Sequence, residues 1–281
     1  MQLLIDHITR YTYSEPAAGI VQLLKLTPRD SECQQVVNWR IDVDADGCLV
    51  PGTDCYGNLV HCFYADRAVE SLTLHVTGLV ITADQAGVVQ VPDEPLPPLL
   101  FLRSTPLTAI TPPIMAFADG FRRDGALPTL HALMLGVQAR IGFQTGATQS
   151  QTDADTVLSL GRGVCQDLSQ LFIACARHLG IPARYVSGHF AAPDHPEQEA
   201  AHAWVEAHVD GLGWVSFDPT HGLSGTPGHV RVAVGLDSLE AAPVRGTRRG
   251  GGVESLAVGV LGRQAMPQRQ GQSTFGRTQN Q

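Results

Sequence analysis

Along residues 1–90 apolar and polar positions alternate in short runs. "HITRYTY", "VVNWRIDV", "NLVHCFYA" and "SLTLHVTGLVITA" mix β-branched and aromatic residues at the two-residue period of half-buried strands. The breaks between them, "DADG" and "DCYGN", place Asp, Gly and Asn where turns need unusual backbone angles. Strands this short and this closely spaced predict an N-terminal β-sandwich or meander domain over 1–90. "QVPDEPLPPLLFLRSTP" then concentrates prolines, and 91–112 reads as a linker.

Beyond the prolines the period lengthens to that of helices. Leu130, Leu133, Met134, Val137 and Ile141 share one face, with Pro128 in the first turn, where its missing N–H costs little. "TDADTVLSL" predicts a short helix started by Thr152, with Asp155 in a capping-box position. A third apolar stripe runs through Leu168, Leu171, Phe172, Cys175 and Leu179 and stops at Gly180 and Pro182, the usual end of a helix. Cys165 falls in its first turn, and Cys175 on its inward stripe reads as packing. "HAWVEAHV", "DGLG" and "WVSFDPT" then read as strand, turn and strand. The fold class is α+β: a second domain over 113–262, then a polar tail, 263–281, read as disordered.

Composition narrows the function classes. The chain has 281 residues, enough for two ordinary domains, with 43% hydrophobic and 16% charged residues. No run approaches the roughly 20 apolar residues of a membrane helix, so no membrane partner is expected. Asp6 and His7 interrupt the start where a secretory signal keeps an apolar run, and a cytoplasmic location is expected. A net charge of −8 excludes a nucleic-acid footprint. The one basic cluster, "RGTRRGGG", suits a solvated loop, a support for a neighbouring loop, or a contact with an acidic substrate. Six cysteines (33, 48, 55, 62, 165, 175) include no C-x-x-C pair, and those at 48, 55 and 62 read as small buried hydrophobes. No cofactor and no resident metal are expected.

Chemistry concentrates around Cys165, because a helix N-terminus favours a thiolate. A nucleophilic thiol needs a base, and the base needs a third group to hold its ring. His202 lies 37 residues downstream and shares a strand face with Trp204, Glu206 and His208; Asp218 ends the returning strand. A four-residue loop at 210–213 sets Asp218 opposite Val205, on the wrong face, so an odd loop or a bulge is expected. Milder readings stand beside these. Asp218 before Pro219 suits a turn, Gln166 and Asp167 suit helix caps, and Trp204 suits a lid or wall over a site.

"GRGVCQDLSQLFIACARHLGIPARYVSGHF" followed by "AHAWVEAHVDGLGWVSFDPTHG" resembles the cysteine, histidine and aspartate boxes of the bacterial transglutaminase-like proteins, often named transglutaminase-like cysteine proteases. "HITRYTYSEPAAGIVQLLKLTPR" and "DCYGN" are similar to that family's N-terminal β domain, and "VRVAVGLDSLEAAPVRGTRRGGG" to its C-terminal segment. The resemblance implies a papain-like core, a cysteine-bearing helix packed on an antiparallel sheet. It puts Cys165 on the nucleophile, His202 on the base and Asp218 on the orienting carboxylate. Animal transglutaminases add an upstream tryptophan that binds the oxyanion. No tryptophan lies between Trp39 and Trp204 here, and Phe143 has no N–H to offer. The Cys165 N–H remains as donor, with Gln166 and Trp204 as candidate substrate or oxyanion groups.

The implied function is acyl transfer from an amide or peptide bond through a thioester. Hydrolysis of a peptide, protein or small amide is the preferred form; cross-linking to an amine and a non-catalytic binding module are the alternatives. A zinc enzyme built on His195, His202, His208 and His221 fits no known spacing and leaves the thiol boxes unexplained. The loop "AAPDHPEQEA", with Asp194, Glu197 and Glu199, is expected to border the cleft and disfavour acidic substrates. Oligomeric state is not legible in the chain.

Overall fold

A computed structural model describes residues 1–191, 197–198 and 201–264. Five strands come first: β1 (Gln2–Thr27), β2 (Gln34–Val43), β3 (Gly47–Thr53), β4 (Leu59–Ala65) and β5 (Val69–Thr82). The middle of the chain holds β6 (Val88–Val89), α1 (Pro112–Asp119), α2 (Ala126–Arg140), β7 (Gly142–Phe143), α3 (Ala154–Leu160), β8 (Arg162–Gly163) and α4 (Cys165–His178). The strands β9 (Ala183–Phe190), β10 (Glu197–Gln198), β11 (His202–Val209), β12 (Gly213–Asp218), β13 (Leu223–Ser224), β14 (His229–Gly235), β15 (Val244–Gly250) and β16 (Glu254–Gln264) follow.

The N-terminal strands belong to one continuous eight-stranded sheet rather than the two facing sheets of a sandwich. The reason is the length of β1. Its first half pairs with β5 on one side and β16 on the other, and its second half with β4 and β15. Between the halves, "SEPAAG" interrupts the ladder, and Gly19 takes a positive φ of 56° that a side chain would resist. The sheet thus curls over a core of Tyr13, Ile20, Leu24, Phe63, Leu72 and Leu74.

The expected boundaries shift as well. Residues 244–264, placed by sequence with the second domain up to 262 and with the tail beyond it, return to flank β1 in the first sheet. Val88 and Val89 instead join the second sheet by pairing with β12. The proline-rich stretch is more than a linker: it buries Phe101 and Leu107, and the Arg177 guanidinium of α4 donates to the Phe101 carbonyl and the Thr108 hydroxyl. Cys48, on the edge strand β3, and Cys55 are exposed and Cys62 is half-buried, so these three are not the buried hydrophobes expected; Cys175 is buried as expected. The "RGTRRGGG" cluster is part of strand β15 and its following turn, with Arg248 stacked on the Tyr13 ring and paired with Glu254. Helix α3 is capped by Asp153, which accepts from the Thr156 N–H, not by Thr152. Most of the tail expected to be disordered, 265–281, lies outside the described residues.

The second sheet is antiparallel in the order β13-β12-β11-β9-β14, with β6 beside β12. One face, carrying Tyr185, Ala203, Val205, Ala207 and Phe217, packs against α2 and α4, while α1 and α3 pack on the far side of α4, which is buried along nearly its whole length. The other face meets the first sheet. There the side-chain amides of Gln34 and Asn58 hydrogen-bond backbone groups of Arg231 and Val234 on β14, so that the free edge of that strand is satisfied from the N-terminal domain. The "DCYGN" turn owes its composition to this docking. Asp54 accepts from the Tyr56 and Asn58 N–H groups and pairs with Lys25, and Tyr56 donates to Glu240.

Candidate active site

Three local features build the start of α4. Gly161 closes α3 in the left-handed region, with φ 67°. Gly163 leaves room for the carboxyl of Asp167, since a Cβ there would lie 2.7 Å from Asp167 Oδ2. Asp167 Oδ2 accepts from the Val164 N–H at 2.7 Å and the Thr148 hydroxyl at 2.6 Å, which pins the first turn to the preceding loop. Cys165 is the first helical residue and is half-buried. The first N–H groups of a helix have no intrahelical acceptor and point outward from this end.

The β11–β12 hairpin pairs Val209 with Gly213 across a three-residue loop, 210–212. Val205 then faces Phe217, and Asp218 falls on the same sheet face as His202 and Trp204. This is the odd count that the face alternation demands. His202 Nε2 donates to Asp218 Oδ2 at 2.8 Å, so the carboxylate holds the ring by Nε2. The Cys165 side chain is near enough to act on the His202 ring, favouring its charged form. Phe190, at 5.5 Å, and Trp204, at 5.9 Å, pack along the ring.

Asp218 is fully buried and accepts five hydrogen bonds from described residues. Three imidazoles reach Oδ2: His202, His221 Nδ1 at 2.7 Å and His229 Nε2 at 3.2 Å. The Thr220 and His221 N–H groups reach Oδ1. Burial alone raises a carboxyl pKa, but these imidazole donors overturn it and hold Asp218 well below the usual carboxylate range. For His202 burial works toward the neutral ring, and the bond to Asp218 with the neighbouring Cys165 outweighs it, raising its pKa to about 10. His229 is the opposite case: its Nδ1 accepts from the Thr226 N–H at 3.1 Å, and burial lowers its pKa, so it serves as a neutral Nε2–H donor.

The remaining sequence candidates divide. Gln166 sits beside Cys165, and its side-chain amide donates to the Ser150 carbonyl at 3.3 Å. Trp204 is no lid. It is 2% exposed, in a cluster with Val186 and Val234, and Gly188 keeps the space for its ring, because a Cβ would come within 2.5 Å. Glu206, on the same face, is buried between Arg184 and Arg231 at 2.6 and 2.8 Å and is structural. Phe143 is 61% exposed, in register with Gly163 next to the helix start. His195, Asp194 and Glu199 lie outside the described residues, and of Glu197 only its strand pairing with Leu261 is described. Sequence reasoning missed His229 and gave His221 no place in the thiol site. The spacing of His221, three residues after Asp218 in a turn, was the available signal; for His229, on a separate strand, there was none. The ligand atoms of His202, Asp218 and His221 lie within 4.8 Å of one another and are the described group able to hold a metal ion.

No described helix is long and apolar enough to cross a membrane. Comparison with known proteins shows what the chain resembles. Residues 117–219 match the transglutaminase-like superfamily core, and residues 3–81 the bacterial transglutaminase-like N-terminal region. An uncharacterized protein of Mycobacterium leprae is 28% identical over 280 residues, covering 91% of this chain and 96% of the relative. An uncharacterized protein of Mycobacterium tuberculosis is 27% identical over 271 residues, covering 86% of each chain. A candidate cysteine protease from Cytophaga hutchinsonii shares the fold, with a TM-score of 0.76 at 23% identity, over 94% of this chain and 90% of that one. With both family regions in order, the core match spanning Cys165, His202 and Asp218, the chain belongs to the bacterial transglutaminase-like proteins.

Proposed function

We propose that the protein is a cysteine-dependent acyl-transfer enzyme that hydrolyses an amide or peptide bond, with Cys165 as nucleophile, His202 as general acid and base, and Asp218 as the carboxylate that orients it. The observation that carries this reading is the His202 ring, held through Nε2 by the buried Asp218, with the Cys165 side chain near enough to help raise its pKa. With its proton held by Asp218, the imidazolium persists beside the sulfur, the arrangement an attacking thiolate requires. The sulfur adds to the substrate carbonyl. The tetrahedral oxyanion meets the N–H of Cys165 at the helix start, with the Gln166 side chain as the candidate second donor once it leaves the Ser150 carbonyl. His202 gives its proton to the leaving amine as the C–N bond breaks, leaving a thioester. Water then gives a proton to His202 as it adds to the thioester, and the acid leaves as the thiolate is restored.

Trp204, buried behind the ring, acts as a fixed wall that holds the imidazole plane. A peptide, a protein or a small amide is the substrate class. The six unpaired thiols suit a reducing, cytoplasmic setting. The test is to incubate the protein with a peptide library, with and without a primary amine. New peptide termini or ammonia without amine incorporation support hydrolysis. Incorporation of the amine turns the reading to cross-linking, and no product in either arm removes the enzymatic reading.

A further inference from the structure

The crowding of imidazoles on Asp218 exceeds what an orienting carboxylate needs. One bond to His202 fixes a ring, yet His221 and His229 converge on the same oxygen. The three differ in what they can offer a cation. His229 Nδ1 is occupied by the Thr226 N–H, so its Nε2 carries the proton and stays a donor. His202 Nε2 and His221 Nδ1 also donate to Asp218, but among the described residues no backbone N–H holds the second ring nitrogen of either, and with a carboxylate oxygen they form a two-histidine, one-carboxylate set. The His221 side chain is 39% exposed, which gives an ion a way in, while Asp218 is buried.

The geometry points to a reversible binding site for a divalent transition-metal ion of the zinc class, formed by His202, Asp218 and His221, that withdraws the His202 ring from the thiol chemistry. Tetrahedral zinc at about 2.0–2.2 Å from each ligand sets them roughly 3.3 Å apart. The present N···O separations of 2.8 and 2.7 Å therefore need only a small retreat, and His221 is exposed enough to make it. On binding, His202 Nε2 gives its proton to solvent, and the His221 proton moves from Nδ1 to its other ring nitrogen, so both ligand lone pairs face the ion. The His229 N–H steadies the ligating carboxylate, as outer-shell donors do at metal sites. The ion is a competitor of the reaction and not its cofactor. Its inhibitory effect rests on the function proposed above, but its binding does not.

The test is zinc titration against a chromophoric chelator, in a chain with Cys48, Cys55 and Cys62 changed to Ser to remove the surface thiols. The expected result is one equivalent bound, unchanged when Cys165→Ala is added. His221→Ala and His221→Gln, each with an unaltered circular dichroism spectrum, should weaken binding by about tenfold or more. Binding that is indifferent to His221, or that vanishes with Cys165→Ala, overturns the site. An inactive protein that still binds zinc through His221 ends the enzymatic reading and leaves the metal site standing. An active one that zinc does not inhibit at saturation ends the proposed competition.

Discussion

At the scale of single residues, Asp218 carries the most consequence, because five donors of described residues keep it ionised inside the protein. Its charge in turn keeps His202 protonated up to about pH 10. If the reaction needs the imidazolium, activity falls on the alkaline side as pH rises through that value. Asp218→Asn should lower the catalytic rate by roughly 10²–10⁴-fold and move this alkaline limb toward neutrality. A pH–rate profile of both proteins checks it, and an unmoved limb would contradict it. Gly163 supports a second prediction: a Cβ there collides with Asp167, so Gly163→Ala should break the tie to Val164 and cost about 1–2 kcal/mol in urea unfolding. Cys165, His202 and Asp218 were legible because residue type, order and helix-start position converge on them. The atom bonded to Asp218 and the burial of Trp204 were not, since both depend on how deep β11 lies in the sheet.

At the scale of elements, the β11–β12 hairpin decides whether the candidate site forms. Strand alternation required an odd loop, and the three residues 210–212 supply it. One glycine inserted after Gly211 shifts the pairing by one position and turns Asp218 to the helix-facing side. The variant should lose the His202–Asp218 bond and all thiol-dependent turnover, while its far-UV circular dichroism still reports the sheet; retained turnover would contradict this account. Helix α4 was legible from its apolar stripe and its Gly-Pro end. The N-terminal sheet was legible as strands but not as a single curled sheet, because periodicity identifies faces and not partners. Nothing in "VRGTRRGG" announces that it pairs with residues some 230 positions earlier, such as Ala17 with Gly250.

At the scale of the whole molecule, the contact between the two sheets buries two histidines, His7 of β1 and His189 of β9, with ring centroids 5.4 Å apart. Burial lowers His7 to about 4 and His189 to about 3, with each other's charge adding to the effect on His189. Asp6 acts in the opposite sense on His7, and Lys25 lines the same small cavity. Both rings are neutral in the folded protein but titrate near 6.5 when unfolded. Their contribution is therefore complete above about pH 6.5 and is lost as pH falls toward 4 and 3, by on the order of several kcal/mol. His202, with its raised pKa, contributes in the other direction: its stabilisation is full below about pH 6.5 and fades as pH rises through about 10. Urea midpoints between pH 7 and 4 should drop steeply in the native chain and less in His189→Gln; parallel curves would show that the pair is not the cause. This docking was illegible in sequence, since His7 and His189 are 182 residues apart in different sheets.

The most direct test of the central claim is intact-mass spectrometry after brief exposure to iodoacetamide at pH 6, where free thiols are unreactive, comparing the native chain with Cys165→Ala and His202→Ala. The account predicts a single rapid adduct in the native chain and none in either variant. Slow labelling, or labelling that persists without His202, would contradict it.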